Sequence, residues 1–372
     1  NDIVCSGVEE KMGLHGSPTC SMTLGAKGNC RGLLLGQEHK GLQALFAMMN
    51  EARLDVGAQG FSHGSAAYLY ALDYARQRLQ GYDLDKKNAP GAPQVPIINH
   101  PDIRRMLMLM KAYVDGMRSL IYYVAYCFDR RDGAAEQSES EYYSGLIDFF
   151  IPVVKAYCSE RGLFICDQAV QIYGGYGYTR EYPVEQILRD CKIATIWEGT
   201  NGIQAMDLLG RKLNMNKGRV FSDFTGEIEK CLDLAGSRPL LDKLVDPVQS
   251  ALTRLVESAG CLGKMLRSGD VKTAFAHAHP FLEVVGDICM AWMHLWRAAV
   301  AAPCLQKLAE GKSPRDIAAM AEKNKEVAFY DGQLKTAAFF IQAVLPVTMG
   351  KMDSILAADN SMVNIHPKSF GG

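Results

Sequence analysis

A lone glutamate, Glu198, stands between an apolar run and a glycine–threonine turn in the segment IATIWEGT, residues 193–200. Burial beside apolar and aromatic side chains would raise the pKa of this carboxylate, which suits a base that removes a weakly acidic C–H proton. The same residues also fit a structural role, in which Glu198 lies near the positive end of a helix and Thr200 caps that helix. Taken alone, the turn leaves both interpretations open.

A glycine–tyrosine turn, QIYGGYGY at residues 171–178, begins 27 positions before Glu198. Glycines allow a backbone to approach a cofactor closely. The turn matches neither a dinucleotide-binding fingerprint nor a phosphate-binding loop of the GxxxxGK type. A helix C-cap followed by a turn would have the same composition. The segment is therefore a candidate cofactor contact that needs support from its surroundings.

The elements that position these residues are predicted to be mainly helical. Residues 1 to about 35 combine turn formers with short apolar runs, as in strands and turns. Helical periodicity then begins at Gly41 and continues to about Gln80, and the prolines at residues 82–99 predict a loop. Further helices are predicted at residues 101–131, 140–173, 183–193 and from the turn after Glu198 to 213.

A tail of about 155 residues follows Asn216. We predict about four more helices there, with turns near 236–237, 269–270 and 311–314. Its charges nearly cancel, so the tail has no basic surface of the kind that binds nucleic acid. Apolar residues at helical spacing, such as Phe339 and Phe340, predict a role in packing and oligomerisation.

The composition excludes several classes of function. The 40 basic and 41 acidic residues balance, which predicts no nucleic-acid and no membrane partner. The 11 cysteines form no C-x-x-C pair or finger-like spacing, so we predict a reducing compartment and no metal site. No apolar run reaches about 18 residues, which predicts a soluble, cytoplasmic protein. Because Asn1 is not a methionine, we expect a fragment whose upstream part could carry targeting information.

The segment from Gln171 to Leu213 resembles, in its residues and spacing, the C-terminal signature of flavin-dependent acyl-CoA dehydrogenases. The resemblance implies that Glu198 is the catalytic base, which removes the α-proton of an acyl thioester while the β-hydride passes to flavin N5. It also implies that the Glu198 backbone N–H and a ribityl hydroxyl of the flavin bind the thioester oxygen. Trp197 replaces a tyrosine common in the family.

The same resemblance implies a set of binding residues and an FAD cofactor. The cofactor-binding residues would be Arg78, Gln171, Gly174, Gly175 and Thr200, and the substrate-binding residues Asn50, Arg53 and Gly199. The alternative for both arginines is a solvent-facing helix charge. The family pattern is not complete, because Gly202 replaces a polar residue and Leu79-Gln80-Gly81 replaces the residues that usually follow the second arginine. His100 falls where the family has a further cofactor contact, although a lone histidine near a helix start also fits a structural role.

The resemblance predicts a mainly α fold in three parts. Residues 1–36 would end the middle β-domain, residues 37–213 would form the C-terminal helical domain, and residues 214–372 would form an extra helical domain. The extra domain is similar to that of a long subgroup that includes 3-methylmercaptopropionyl-CoA dehydrogenases. The family's N-terminal part has no counterpart in this chain. The family further implies a role in fatty acid metabolism, an electron-transfer flavoprotein as electron acceptor and a homodimer or homotetramer.

The same residues also fit two other functions. A catalytically silent relative could serve as a DNA-binding or scaffold protein, but the nearly neutral tail argues against DNA binding. An acyl-CoA oxidase that uses oxygen directly would share most of the same residues.

Overall fold

The structure, a computed structural model, describes residues 1–85 and 91–371. These residues form mainly helices and one small sheet, which confirms the predicted mainly α fold. The strands are β1 (Ile3–Val8) and β2 (Cys20–Leu24). The helices are α1 (Gly41–Gln77), α2 (Pro101–Asp132), α3 (Gln137–Tyr173), α4 (Pro183–Lys192), α5 (Asn201–Gly210), α6 (Arg219–Gly236), α7 (Asp242–Ser268), α8 (Val271–Ala276), α9 (Ala278–Leu308), α10 (Pro314–Ala321), α11 (Lys325–Phe339), α12 (Leu345–Leu356) and α13 (Ser361–Asn364).

The N-terminal strands form an antiparallel hairpin with both faces exposed. The loop between them is fixed to α4 by two polar contacts. Arg189 donates to the Met12 carbonyl at 2.7 Å, and the Leu14 N–H donates to the Asp190 carboxylate at 2.6 Å. The hairpin is thus attached to the helix that leads into the Glu198 turn.

All five helices predicted before residue 213 are present, with boundaries shifted by a few residues. Of the predicted loop at 82–99, residues 86–90 lie outside the described residues, and Ile97–Asn99 form a single 3₁₀ turn. The tail differs from the expected four helices, since its described residues form eight α-helices as well as short 3₁₀ and π segments. The long helices of the tail are α6, α7, α9 and the pair α11–α12, which is joined by a π-helical turn at Phe340–Val344.

Helices α1 and α3 cross with their backbones in contact. A methyl group added at Gly162 of α3 would lie 2.2 Å from the carbonyl oxygen of Gly60 on α1, far inside an ordinary contact. Gly57 and Gly64 of α1 face α3 in the same way. Only hydrogen fits between such helices, so the glycines set their separation. The contact begins one turn after Arg53 and so places this arginine against α3.

Helix α9 lies at the centre of the molecule. It packs against α2, α3, α5, α6, α7, α11 and α12, and most of its residues are buried, as expected for a helix surrounded by others. Trp292 of α9 lies among Phe150 and Phe224 in an aromatic cluster. The main group of buried apolar side chains runs from Ala67 to Ile355, so the regions before and after residue 213 share it.

Two helical segments, Ala278–Leu308 and Lys325–Leu356, have the length and composition of a membrane span, which the sequence analysis did not anticipate. In the first, 72% of the apolar window is buried within the protein, compared with 33% in the second. The apolar character of the first segment is therefore explained by its place in the core.

Candidate functional site

Glu198 forms a tight turn immediately before α5. Its φ is +53° and that of Gly199 is +86°, so two successive residues adopt the left-handed conformation. A non-glycine residue enters this region at an energetic cost and remains there when neighbours hold it. Here the Glu198 carbonyl accepts hydrogen bonds from Arg53 Nε and Gln204 Nε2, each at 3.4 Å. The Glu198 side chain is exposed, so the burial expected from its apolar neighbours is not present in this chain.

Gly199 and Thr200 complete the turn. A methyl group at Gly199 would lie 2.7 Å from Gln204 Nε2, which itself donates to the Gly199 carbonyl at 3.3 Å. The positive φ favours glycine at this position, and an added methyl group would displace the Gln204 amide that holds the turn. Thr200 is the N-cap of α5, and its hydroxyl accepts from the Ile203 N–H at 3.4 Å. The capping role considered in the sequence analysis is thus present.

Two buried cations lie beside the turn. Arg53 is 8% exposed and forms no ion pair with any carboxylate of residues 1–85 and 91–371. Lys155 of α3 is fully buried, and its ammonium group donates to Asn201 Oδ1 at 2.9 Å. Burial, followed by the charge of Arg53, lowers the pKa of Lys155 to about 8. The side chain of Asn50, half-buried three residues before Arg53, makes no hydrogen bond with the described part of the chain.

Several polar groups at the turn have no hydrogen-bond partner among the described residues. They are the backbone N–H of Glu198, the side-chain oxygen of Gln204 and the indole N–H of Trp197. Buried polar atoms are rarely left unpaired in folded proteins. The two side-chain atoms are fully buried, whereas the Glu198 N–H belongs to an exposed residue and is free to bind a group that does not belong to this chain.

A cavity of about 800 Å³ lies where the end of α1 and the start of α2 meet the end of α3. Four predicted cofactor-binding residues line it together: Arg78, Gln171, Gly174 and Gly175. The Arg78 guanidinium lies 5.4 Å from the centroid of the Tyr176 ring, and no carboxylate of the described residues pairs with it. An unpaired guanidinium at the wall of a cavity is a suitable partner for phosphate groups.

Aromatic rings and glycines shape this cavity. Tyr74 stacks on Tyr173 with 4.1 Å between ring centroids, and His100 Nε2 lies 2.6 Å from the Gln80 carbonyl oxygen. Gly174 ends α3 with φ +61°, and a methyl group added at Gly174 or Gly175 would meet no other atom within 4 Å. The backbone at the two glycines is therefore open to close approach. His100 lines the cavity and also directly precedes α2 at its N-cap, so both of its predicted roles remain compatible.

The predicted site residues thus form two separate groups. Arg78 and the glycine–tyrosine turn line the cavity, whereas Arg53 and Thr200 lie at the Glu198 turn and do not line it. Lys155, Asn201 and Gln204 also lie at the turn and were not predicted from the sequence. A signal existed for Lys155, since it is the one charged residue in the apolar run FFIPVVKAYC at 149–158.

Comparisons with known proteins cover nearly the whole chain. A family model described as "Acyl-CoA dehydrogenase, C-terminal domain" matches residues 39–213, and one described as "Acetyl-CoA dehydrogenase C-terminal like" matches residues 224–366. A butyryl-CoA dehydrogenase of Syntrophomonas wolfei is 33% identical over 100% of this chain and 59% of its own length. A 3-methylmercaptopropionyl-CoA dehydrogenase of Ruegeria pomeroyi is 35% identical over 93% of this chain and 55% of its own length.

A solved structure supports the same fold. An acyl-CoA dehydrogenase from Bacillus anthracis, complexed with FAD, aligns with 98% of this chain and 60% of its own chain at a TM-score of 0.64 and 22% identity. The present chain therefore spans less than two thirds of the length of the curated relatives that it matches. The two family models and the relatives identify the same family that the Glu198 and glycine–tyrosine segments indicate, and the chain belongs to the acyl-CoA dehydrogenase family.

Proposed function

We propose that the protein containing this chain is an FAD-dependent acyl-CoA dehydrogenase in which Glu198 is the catalytic base. The observation that carries the proposal is the held turn, where Arg53 and Gln204 fix the Glu198 carbonyl while the carboxylate stays exposed. A base needs such a fixed backbone, because proton abstraction is efficient only from a defined position. The names of the curated relatives support the reaction class.

The free groups of the turn suit the carbonyl of an acyl thioester. The unpaired Glu198 N–H would donate to the thioester oxygen, where negative charge grows as the α-proton leaves. Arg53, a buried cation without a carboxylate partner among the described residues, would favour that charge electrostatically. Gly199 follows Glu198 in the turn, and Asn50 lies one helical turn before Arg53 on α1, so both residues would contact the substrate.

The cavity residues fit the cofactor that the family uses. When bound, FAD would accept the β-hydride at N5 of its flavin ring. Arg78 would pair with the pyrophosphate, Gln171 would offer a side-chain amide, and the open backbone of Gly174 and Gly175 would permit close contact. Thr200 lies in the Glu198 turn, away from this cavity, and would contact the flavin.

The separation of the two groups supports a homo-oligomer. Arg78 and the glycine–tyrosine turn would hold the cofactor of a neighbouring subunit, while Glu198 would act beside the cofactor of its own subunit. A homodimer is the smallest assembly that satisfies this arrangement, and a homotetramer of two such dimers satisfies it equally. An electron-transfer flavoprotein as acceptor and a cytoplasmic location rest on the family resemblance and on composition alone.

The test uses the full-length protein that contains this chain and measures how fast an acyl-CoA bleaches the flavin absorbance. We expect Glu198→Gln to retain FAD but to slow bleaching by about 10²- to 10⁴-fold, the usual contribution of a general base. Glu322→Gln, at an exposed glutamate of the tail, is the matched control and should bleach normally. Bleaching at the normal rate in Glu198→Gln would refute the role of this residue.

Two additional measurements separate the alternatives. Steady oxygen consumption with acyl-CoA, in the absence of another acceptor, would identify an oxidase instead of a dehydrogenase. Absence of both FAD and acyl-CoA binding from the full-length protein would favour the silent scaffold.

A further inference from the structure

Asn201, the first residue of α5, anchors the Glu198 turn to α3. Its side chain is 5% exposed and accepts a hydrogen bond from Lys155 Nζ at 2.9 Å. Its amide nitrogen lies 3.2 Å from the Ala156 carbonyl, 3.1 Å from Ser159 Oγ and 3.1 Å from Glu160 Oε1. Both the oxygen and the nitrogen of the Asn201 amide therefore bond to α3, and these bonds fix the position of Asn201 directly after Thr200.

Glu160 connects this anchor to the tail. Glu160 Oε1 accepts the hydrogen bond from the Asn201 amide, and it also lies 2.7 Å from His279 Nε2 at the start of α9. Burial raises the pKa of Glu160, but the hydrogen bond and charge of His279 and the hydrogen bond of Asn201 outweigh it, so the pKa is lowered. The Glu160 hydrogen bond in turn raises the pKa of His279 above 6.5. The two side chains thus favour the charged pair.

We propose that Asn201, Glu160 and His279 form a positioning relay, through which the tail sets the orientation of the Glu198 turn. The proposal rests on the proposed role of Glu198 as base. The relay ends three residues from Glu198, in a turn whose left-handed backbone needs external support. None of the three residues is proposed to contact the reacting atoms.

The relay has a direct consequence for pH dependence. The charged groups that face His279 are Glu160 and Arg161 from α3 and Glu283 from α9 itself. Because the folded pKa of His279 is raised, its ionic contact with Glu160 is complete below pH 6.5 and is lost as the pH rises through the raised value. The rate of flavin reduction should therefore fall as the pH rises and His279 loses its proton.

The test compares flavin bleaching by acyl-CoA in the full-length holoenzyme and its variants between about pH 5.5 and 9, a range that brackets the ordinary histidine pKa of about 6.5. His279→Gln should keep its FAD and its KM, lower the bleaching rate about tenfold and remove the fall in rate that follows the loss of the His279 proton. Asn201→Ala should lower the rate further, about a hundredfold, because it severs the turn from both Lys155 and Glu160.

Arg254→Gln is the matched control, since it breaks a tail ion pair with Asp353 that does not touch Asn201. Unchanged rate and pH profile in His279→Gln would overturn the relay, as would an equal loss in His279→Gln and Arg254→Gln. If His279→Gln retains too little FAD to be assayed, Glu160→Gln supplies the same test, because it keeps the amide contact but removes the charge. Loss of bleaching in Glu198→Gln together with an unaffected His279→Gln would leave the proposed function intact.

Discussion

The contact between α1 and α3 predicts opposite effects for one substitution at two glycines. At Gly162 an added methyl group lies 2.2 Å from the Gly60 carbonyl oxygen, whereas ordinary contacts begin at 3.4 Å. Because the obstacle is a backbone atom, the two helices must separate by about 1 Å. We therefore expect a cost at the upper end of the overpacking range, about 3 kcal/mol of the free energy of unfolding. Alanine in a helix interior is about 1 kcal/mol better than glycine, which leaves Gly162→Ala destabilised by about 2 kcal/mol.

Gly226, in the interior of α6, is the matched control. A methyl group there meets no atom within 4 Å, so Gly226→Ala should gain about 1 kcal/mol from helix propensity alone. The two variants should differ by about 3 kcal/mol in the free energy of unfolding, or by roughly 6 °C in apparent Tm. Thermal unfolding followed by circular dichroism measures the difference. A Gly162→Ala variant as stable as Gly226→Ala would refute the steric reasoning.

Two other predictions concern the charged residues of the site. Arg78→Ala should lower FAD affinity at least about tenfold, because charge-assisted hydrogen bonds are lost, and the FAD-to-protein absorbance ratio after gel filtration reports it. Arg76→Ala, at an exposed arginine in the last turn of α1 that does not line the cavity, should retain its FAD, and equal retention by both variants would count against the pyrophosphate role. Since the folded pKa of Lys155 is about 8 and its ordinary value is 10.5, the unfolded state binds more protons between these values. The wild type should therefore gain up to about 3 kcal/mol of stability relative to Lys155→Met as the pH rises through this window, measured by urea unfolding, and parallel pH curves would contradict the lowered pKa.

Local backbone chemistry made much of the fold predictable. Pro101 begins α2 and Gly174 ends α3, because a proline fits the first turn of a helix and a positive φ favours glycine. The segmentation of the tail was not predictable in this way. Glycine, proline or capping residues do not mark both ends of the π-helical turn at Phe340–Val344 or of the short helices α8, α10 and α13. The limits of these segments depend on tertiary packing.

For the site, the sequence identified residues but not their grouping. Arg78 and Gly174 are nearly a hundred positions apart and meet at one cavity, which the family spacing implied and the helix pairing brings about. The contact between Lys155 and Asn201 spans 46 positions, and that between Glu160 and His279 spans 119. Such pairs follow from how helices cross, and no motif of adjacent residues encodes them.

The central place of α9 restricts how this protein can change over evolution. Its side chains pack against α2, α3 and α5. Removal of the tail would therefore expose apolar side chains on the helices that hold the Glu198 turn. A recombination event near residue 213 would join surfaces that were not shaped for each other. We therefore expect the two regions to be inherited together, with substitutions on α9 compensated by substitutions on α2 and α3.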